Sequence, residues 1–406
     1  MPLPEPMPGL TRRSALLGLG GAFTLGRASL AFAAPAATLH DRRLVVVILR
    51  GALDGLSAVA PYGDPDLAAL RAPLLPGLPG TEGGLLDLGG FYGLHPALAG
   101  LHGLYAASQL LVVHAVAGDW RSRSHFDAQD YLESGADRRM TSGWLNRAAL
   151  ALPGAARAGV AAPLAVGPNV PLLLRGTAAV DNWQPRGFRQ PDPDLYGRLV
   201  AMHRPDPVTG PAIAAGLHDR GFTDAVLAGA EAPHNRGSFP ALAAAAGRLL
   251  AAADGPRIAA LEIGGWDTHA GQASRLAAGG GPLRQLDQGL VALRETLGAA
   301  WLRTAVLVMT EFGRTVRVNG TNGTDHGTAT VAFVLGGAVA GGRVRANWPG
   351  LAPDRLFEAR DLQPTTDLRS VAKGLLAGHL GLSDTALAGV FPNSGAAMPS
   401  TGMLRA

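Results

Sequence analysis

The stretch LVVVILRGALDG, residues 44–55, decides the fold. Leu44 to Leu49 is an unbroken apolar run in which Val45, Val46, Val47 and Ile48 are β-branched. No polar residue alternates with it, so both faces of the strand must be covered, as in a parallel sheet layered between helices. The run stops at Arg50-Gly51-Ala52-Leu53-Asp54-Gly55. Open α/β sheets carry functional groups just past the carboxyl ends of such strands. Asp54 in this turn reads either as such a group or as a turn residue or helix N-cap.

The same pattern recurs downstream. Residues 110–116, 258–263, 304–309 and 329–335 are further apolar runs with strand character, and 164–166 and 172–174 are shorter ones. Helical spacing appears over 96–108, 239–253, 283–297 and 368–380, and in a helix running from Ser124 to about residue 134. Strands separated by helices predict an α/β fold, a doubly wound and mainly parallel sheet with helices on both faces. Residues 34–406 read as a single domain, with a peripheral helical insertion near 176–256.

The chain of 406 residues is 47% hydrophobic and 16% charged, which supports a large core and excludes global disorder. Its formal charge is +4, but Lys373 is the sole lysine and the arginines are scattered. No basic run is interleaved with aromatics, which argues against a nucleic-acid partner. Residues 1–33 read as an export leader: Arg12-Arg13 precede a mildly apolar stretch, and Ala31-Phe32-Ala33 is a small-x-small cleavage site. The apolar part is short and glycine-rich, suiting a twin-arginine signal and not a stable membrane span. This reading makes the twin-arginine translocase a partner and the mature protein periplasmic or secreted. Arg12, Arg13 and Arg27 stand against Glu5 there, so cleavage removes half of the formal charge. With no cysteine in the chain, thiolate zinc sites, iron–sulfur clusters and disulfides are excluded.

Candidate chemistry concentrates in LEIGGWDTH (261–269), VLVMTEFGRT (306–315) and GTDHGT (323–328). Asp267, His269, Glu311, Asp325 and His326 are residue types that bind hard or borderline divalent ions, and Asp54 lies at the end of the first strand. Together they could hold one or two ions, with histidine beside aspartate favouring zinc or manganese. Two ions about 4 Å apart clamp the attacking and leaving oxygens of an in-line displacement. Ser124, and after it Ser122, are the candidate nucleophiles. Ser124 is equally well placed as a helix cap. Arg123, Arg121 and Arg314 could grip an anionic group, and each could equally be an ordinary ion-pair partner. His114 and His125 stand outside this candidate set.

RGALDGL, SRSHFDAQDYLESG, LEIGGWDTHAGQ, VMTEFGRTVRVNGTNGTDHGTA and TTDLRSVAKGLLAGHLGL resemble the exported bacterial family known as domain of unknown function 1501. The resemblance covers nearly the whole chain after the leader, departing at Ala52-Leu53, where a glycine-rich pair is expected. That family is similar to the alkaline phosphatase and sulfatase superfamily, which implies an alkaline phosphatase-like sheet and a two-metal site. By this resemblance Asp54 corresponds to the first-strand metal aspartate, and Ser124 or Ser122 falls near the nucleophile. Asp267 and His269 resemble the Asp…His pair of one metal, at a shorter spacing than those enzymes use. Thr310-Glu311-Phe312-Gly313 occupies the place of a Thr-x-Asp-His-Gly motif, so Glu311 replaces an aspartate and Phe312 a histidine ligand. His326 resembles the last metal histidine, with Asp325 beside it. The implied function is an exported metal-dependent hydrolase of phosphate or sulfate esters, small or polymeric. The alternative is a non-catalytic periplasmic binding or assembly factor on the same scaffold.

Overall fold

β1 (Arg43–Leu49) is buried on both faces and paired along both edges. The computed structural model describes residues 41–153, 161–185, 201–203, 205–207, 209–227 and 237–405. The expected leader, 1–33, lies outside the described residues. In chain order the other strands are β2 (Val59–Ala60), β3 (Leu86–Asp87), β4 (Gly93–Leu94), β5 (Leu110–Ala117), β6 (Leu164–Val166), β7 (Asp181–Trp183), β8 (Ile258–Ile263), β9 (Thr304–Thr310), β10 (Thr330–Leu335), β11 (Arg343–Arg345) and β12 (Thr366–Asp367). The main sheet runs β11-β5-β10-β9-β1-β8-β6-β7, with β12 also on β5; β2, β4 and β3 form a small second sheet.

The main sheet is parallel except for β10, which is antiparallel to both neighbours, β5 and β9. That exception decides where the site can form. Because β10 runs backwards, its amino end lies at the edge where β1, β5, β8 and β9 end. The loop entering β10 therefore meets the loops leaving the other four.

The apolar run of β1 divides between two cores. Val45, Val47 and Leu49 pack with helices Ala99–Ala106, Phe239–Ala251 and Pro282–Leu297. Leu44, Val46 and Ile48 pack with helices Trp144–Ala151, Leu368–Gly378 and Asp384–Val390. Helices thus cover both faces, which is why the strand has no polar alternation. A mixed α/β fold with a mainly parallel central sheet is what the sequence led us to expect.

Two stretches differ from expectation. Leu172–Leu174 is a 3-10 turn, not a strand. The Leu174 N–H closes on the Pro171 carbonyl and the Leu173 N–H goes to Glu133 Oε2 at 2.8 Å, so no ladder can form. Its leucines are apolar because Leu173 and Leu174 plug the second core, and three residues are too few to show a period. The stretch 176–256 is not wholly a peripheral insertion. It begins with the edge strand β7, and its helix Phe239–Ala251 buries Phe239, Ala243, Ala246, Leu249 and Leu250 in the first core. Among the described residues no helix is long and apolar enough to cross a membrane.

Three histidines are structural. His114 Nδ1 accepts the Ala115 N–H at 2.8 Å while Nε2 donates to the Val59 carbonyl at 3.0 Å, and the ring stacks on Tyr92. His379 bonds the Arg43 carbonyl at 2.9 Å, and His95 Nδ1 accepts the Ala97 N–H. Burial lowers each of them to about 4. A histidine whose folded pKa lies below its unfolded value of about 6.5 stabilises the fold above pH 6.5. That contribution is lost as pH falls from 6.5 towards 4. Thermal melts across this window should show a falling midpoint, with a shallower fall in His379→Gln, which keeps a donor for Arg43 but cannot titrate. An unchanged slope in that variant would contradict the assignment.

Candidate metal centre

Helix His125–Ser134 begins at the sheet edge just after β5, with Ser124 at its N-cap and His125 as its first residue. β8 delivers Asp267 and His269 through the Gly264–Gly265 turn, β9 delivers Glu311, and the loop before β10 delivers Asp325 and His326. Gly51, past β1, has φ +115°, and a Cβ there would lie 2.8 Å from the Asp267 nitrogen. Only glycine allows this approach, and it brings the Gly51 N–H to Glu311 Oε1 at 2.8 Å.

His125, Asp267 and His326 each place one donor atom so that all three atoms lie within 4.8 Å of one another. His326 Nε2 is 3.1 Å from His125 Nε2, 3.0 Å from His269 Nε2 and 3.2 Å from Asp267 Oδ1. His269 Nε2 is 2.9 Å from Asp267 Oδ1, and His125 Nε2 is 3.6 Å from Asp267 Oδ2. Around a tetrahedral zinc with bonds of about 2.0–2.1 Å, neighbouring ligand atoms stand roughly 3.3 Å apart.

The outer nitrogens explain why these Nε2 atoms matter. His125 Nδ1 meets Glu311 Oε1 at 2.8 Å, His269 Nδ1 meets Asp325 Oδ1 at 3.2 Å, and His326 Nδ1 meets the Arg123 carbonyl at 2.8 Å. All three partners are acceptors, so Nδ1 is the hydrogen-bearing nitrogen of each ring and Nε2 is the one that faces the cluster. An Nε2 that bears no proton offers its lone pair to a cation placed between the rings and Asp267. A backing acceptor on each ligating histidine is also the usual outer arrangement of a metal site. The donor set therefore fits a divalent ion.

Electrostatics divide His125 from His326. The hydrogen bond and charge of Glu311 raise the His125 pKa against its burial. Burial, with the charges of His125 and Arg314, lowers that of His326. Burial favours protonation of Asp267, but the Arg314 hydrogen bond and charge outweigh it and hold the carboxyl below its ordinary range. Glu311 is likewise held low against burial, by His125, Gln129 and Thr310.

The candidate residues fall into three groups. Asp267, His269 and His326 converge. Glu311 and Asp325 stand one layer back, orienting His125 and His269. Asp54 is not brought to the cluster. It caps helix Gly55–Ala58 through Leu56 N, and its Oδ2 takes hydrogen bonds from Ser57, Arg71 and Gln272. Asp54 and Arg71 are both at most 2% exposed, so their ion pair satisfies the carboxylate in place of a metal. Arg123 binds Asp361 and Glu358, and Arg314 binds Asp267, so neither guanidinium is free to clamp an anion. Arg121 donates to the Gly118 and Trp120 carbonyls. Ser122 Oγ is 3.4 Å from Asp127, and the Ser124 hydroxyl makes no capping bond.

His125 is the residue the sequence reading left out. Its one signal was position: it opens a helix directly after a strand of the main sheet. Phe312, in the place of an expected ligand, is 3% exposed and packs its ring 4.9 Å from His125 and 5.2 Å from His326. It is an apolar wall beside the two rings and supplies no donor atom itself.

A family model described as "Protein of unknown function (DUF1501)" matches residues 116–391. The chain belongs to this family. The match runs from the last two residues of β5 through helix Asp384–Val390 and so contains every converging histidine of the DUF1501 chain. No curated protein and no solved structure matches it.

Two substitutions separate the layers. Asp54→Asn should destabilise the fold by about 3–5 kcal/mol, the cost of breaking a buried pair, and leave metal equivalents per folded chain unchanged. Denaturant melts and metal analysis at saturating zinc read the two effects, and a loss of metal from folded protein that excess zinc does not restore would return Asp54 to the ligand set. Glu311→Gln should weaken metal affinity about 10–100-fold, measured against a chromophoric chelator; an unchanged affinity would remove Glu311 from its supporting role.

Proposed function

We propose that this chain is an exported metal-dependent hydrolase of phosphate or sulfate esters on an alkaline phosphatase-like scaffold. The carrying observation is the set of three histidines, each backed at Nδ1 by an acceptor, around Asp267. His125, Asp267 and His326 hold one zinc or manganese ion, and His269 stands within reach as a fourth ligand. When bound, the ion supplies Lewis-acid polarisation of an ester oxygen. Glu311, Asp325 and the Arg123 carbonyl keep the rings in the ligating tautomer. Ser124, at the N-terminus of the helix that carries His125, is the nucleophile we assign, with a hydroxyl not spent on capping. Export rests on the twin-arginine reading of residues 1–33.

A second reading has its own support. Were His269 to complete four protein ligands, the centre would be closed, as in structural zinc sites. With Phe312 in place of a further ligand, that favours a non-catalytic binding or assembly factor.

Protein purified without chelator should carry about one equivalent of a divalent metal, and EDTA should lower its melting temperature because a ligand of the folded state stabilises it. Asp267→Ala and His326→Ala should each lose the ion. Less than about half an equivalent, with melting indifferent to EDTA, would sink the metal reading. A screen of phosphate and sulfate mono- and diesters with zinc and manganese then decides between the readings. Turnover abolished in Ser124→Ala with metal retained supports the hydrolase, and full metal without turnover supports the binding factor.

A further inference from the structure

Asp267 carries the centre, yet its side chain is 44% exposed. Its fixed partner is Arg314, whose Nη1 reaches Oδ1 at 2.7 Å and whose side chain is 0% exposed. What holds Arg314 is Thr324. Arg314 Nε donates to Thr324 Oγ1 at 3.1 Å and Nη2 to the Thr324 carbonyl at 2.6 Å. What holds Thr324 is Gln272, whose Oε1 accepts the Thr324 hydroxyl at 2.6 Å and the Thr268 hydroxyl at 3.0 Å. The Gln272 amide is oriented in turn, because Nε2 donates to Asp54 and, at 3.1 Å, to Ser57. Thr268, Gln272, Arg314, Thr324, Asp54 and Arg71 are all at most 2% exposed.

The geometry points to Gln272 and Thr324 as positioning residues of the metal centre. They clamp together the two loops that carry the ligands and hang Arg314 from the buried Asp54–Arg71 pair, so that Asp267 is delivered in one orientation. This rests on the metal reading above. Three features set the clamp apart from ordinary packing. Thr268 follows Asp267 directly in the chain, and Thr324 lies two residues before His326. The loops also touch through the backbone, with the Thr324 N–H on the Thr268 carbonyl at 3.2 Å and the Gln272 N–H on the Asn322 carbonyl at 2.9 Å. A Cβ at Gly323 would lie 2.2 Å from the His269 carbonyl carbon, so the loops have no room to adjust by sliding. The amide of Gln272 is the one group that joins both hydroxyls to the anchor. A carboxylate in its place would face Asp54, and an apolar side chain would leave both hydroxyls without their shared acceptor.

The test uses the full chain, with zinc as probe and a competing chromophoric chelator. Thr324→Val keeps the shape and removes the hydroxyl, and Thr324→Ser restores it. We expect the zinc dissociation constant to rise about 10–100-fold in Thr324→Val and to stay within about threefold of wild type in Thr324→Ser. A merely structural role would lower the melting temperature of the metal-free protein without moving the zinc constant. Gln272→Met should show the same loss of affinity and supplies a second route to the clamp. Wild-type zinc affinity in folded Thr324→Val overturns the clamp and leaves the metal reading standing. A wild-type chain that takes up no zinc, manganese or other divalent ion overturns both.

Discussion

The convergence of three imidazoles and a carboxylate on one point is the constraint on which the rest of this site depends. Each imidazole is locked by an oxygen behind it, so none can relieve the crowding by turning or changing tautomer without breaking a hydrogen bond in a partly buried place. A carboxylate pinned by an arginine adds to the crowding. The surrounding elements serve this arrangement: β8 and β9 carry the carboxylates, the helix after β5 carries one ring, and a glycine at the end of β1 lets the turn approach Asp267.

Much of the fold was legible because its strands are long and doubly buried. β1, β5, β8, β9 and β10 announce themselves as mainly apolar runs, interrupted within by His114 and Glu262 alone, and the helices over them by their spacing. The short edge strands β7, β11 and β12 carry no such signature, since two or three residues show no period. The direction of β10 was not legible either. It decides that the TDHG loop meets the other loops, yet nothing in the strand's own residues encodes it.

The site was legible by residue type and less so by role. Asp267, His269 and His326 stood out in glycine-flanked turns, and all three converge. Asp54 looked the same and is not with them, because a partner seventeen positions along the chain, Arg71, reaches it in the fold. Both aspartates pair with an arginine, but the Asp54–Arg71 pair is fully buried, whereas Asp267, held by Arg314, is 44% exposed and faces three imidazoles. Glu311 and Asp325 were read as ligands and stand behind histidines instead, a distinction of one layer that spacing alone does not resolve. His125 was passed over because a histidine opening a helix has many ordinary uses.

The reversed strand has a consequence for how the centre is assembled along the chain. Because β10 returns antiparallel beside β9, the chain needs no crossover helix between them, and Glu311, Arg314, Thr324, Asp325 and His326 all fall within one connection. His326 and the supporting residues are thus local in contact order, closed by a single excursion, while His125, Asp267 and His269 must be brought in from distant segments. Loop closure is cheap for the first group and slow for the second. By this topology the connection between β9 and β10 closes first, and the docking of His125, Asp267 and His269 against it is the late event in folding.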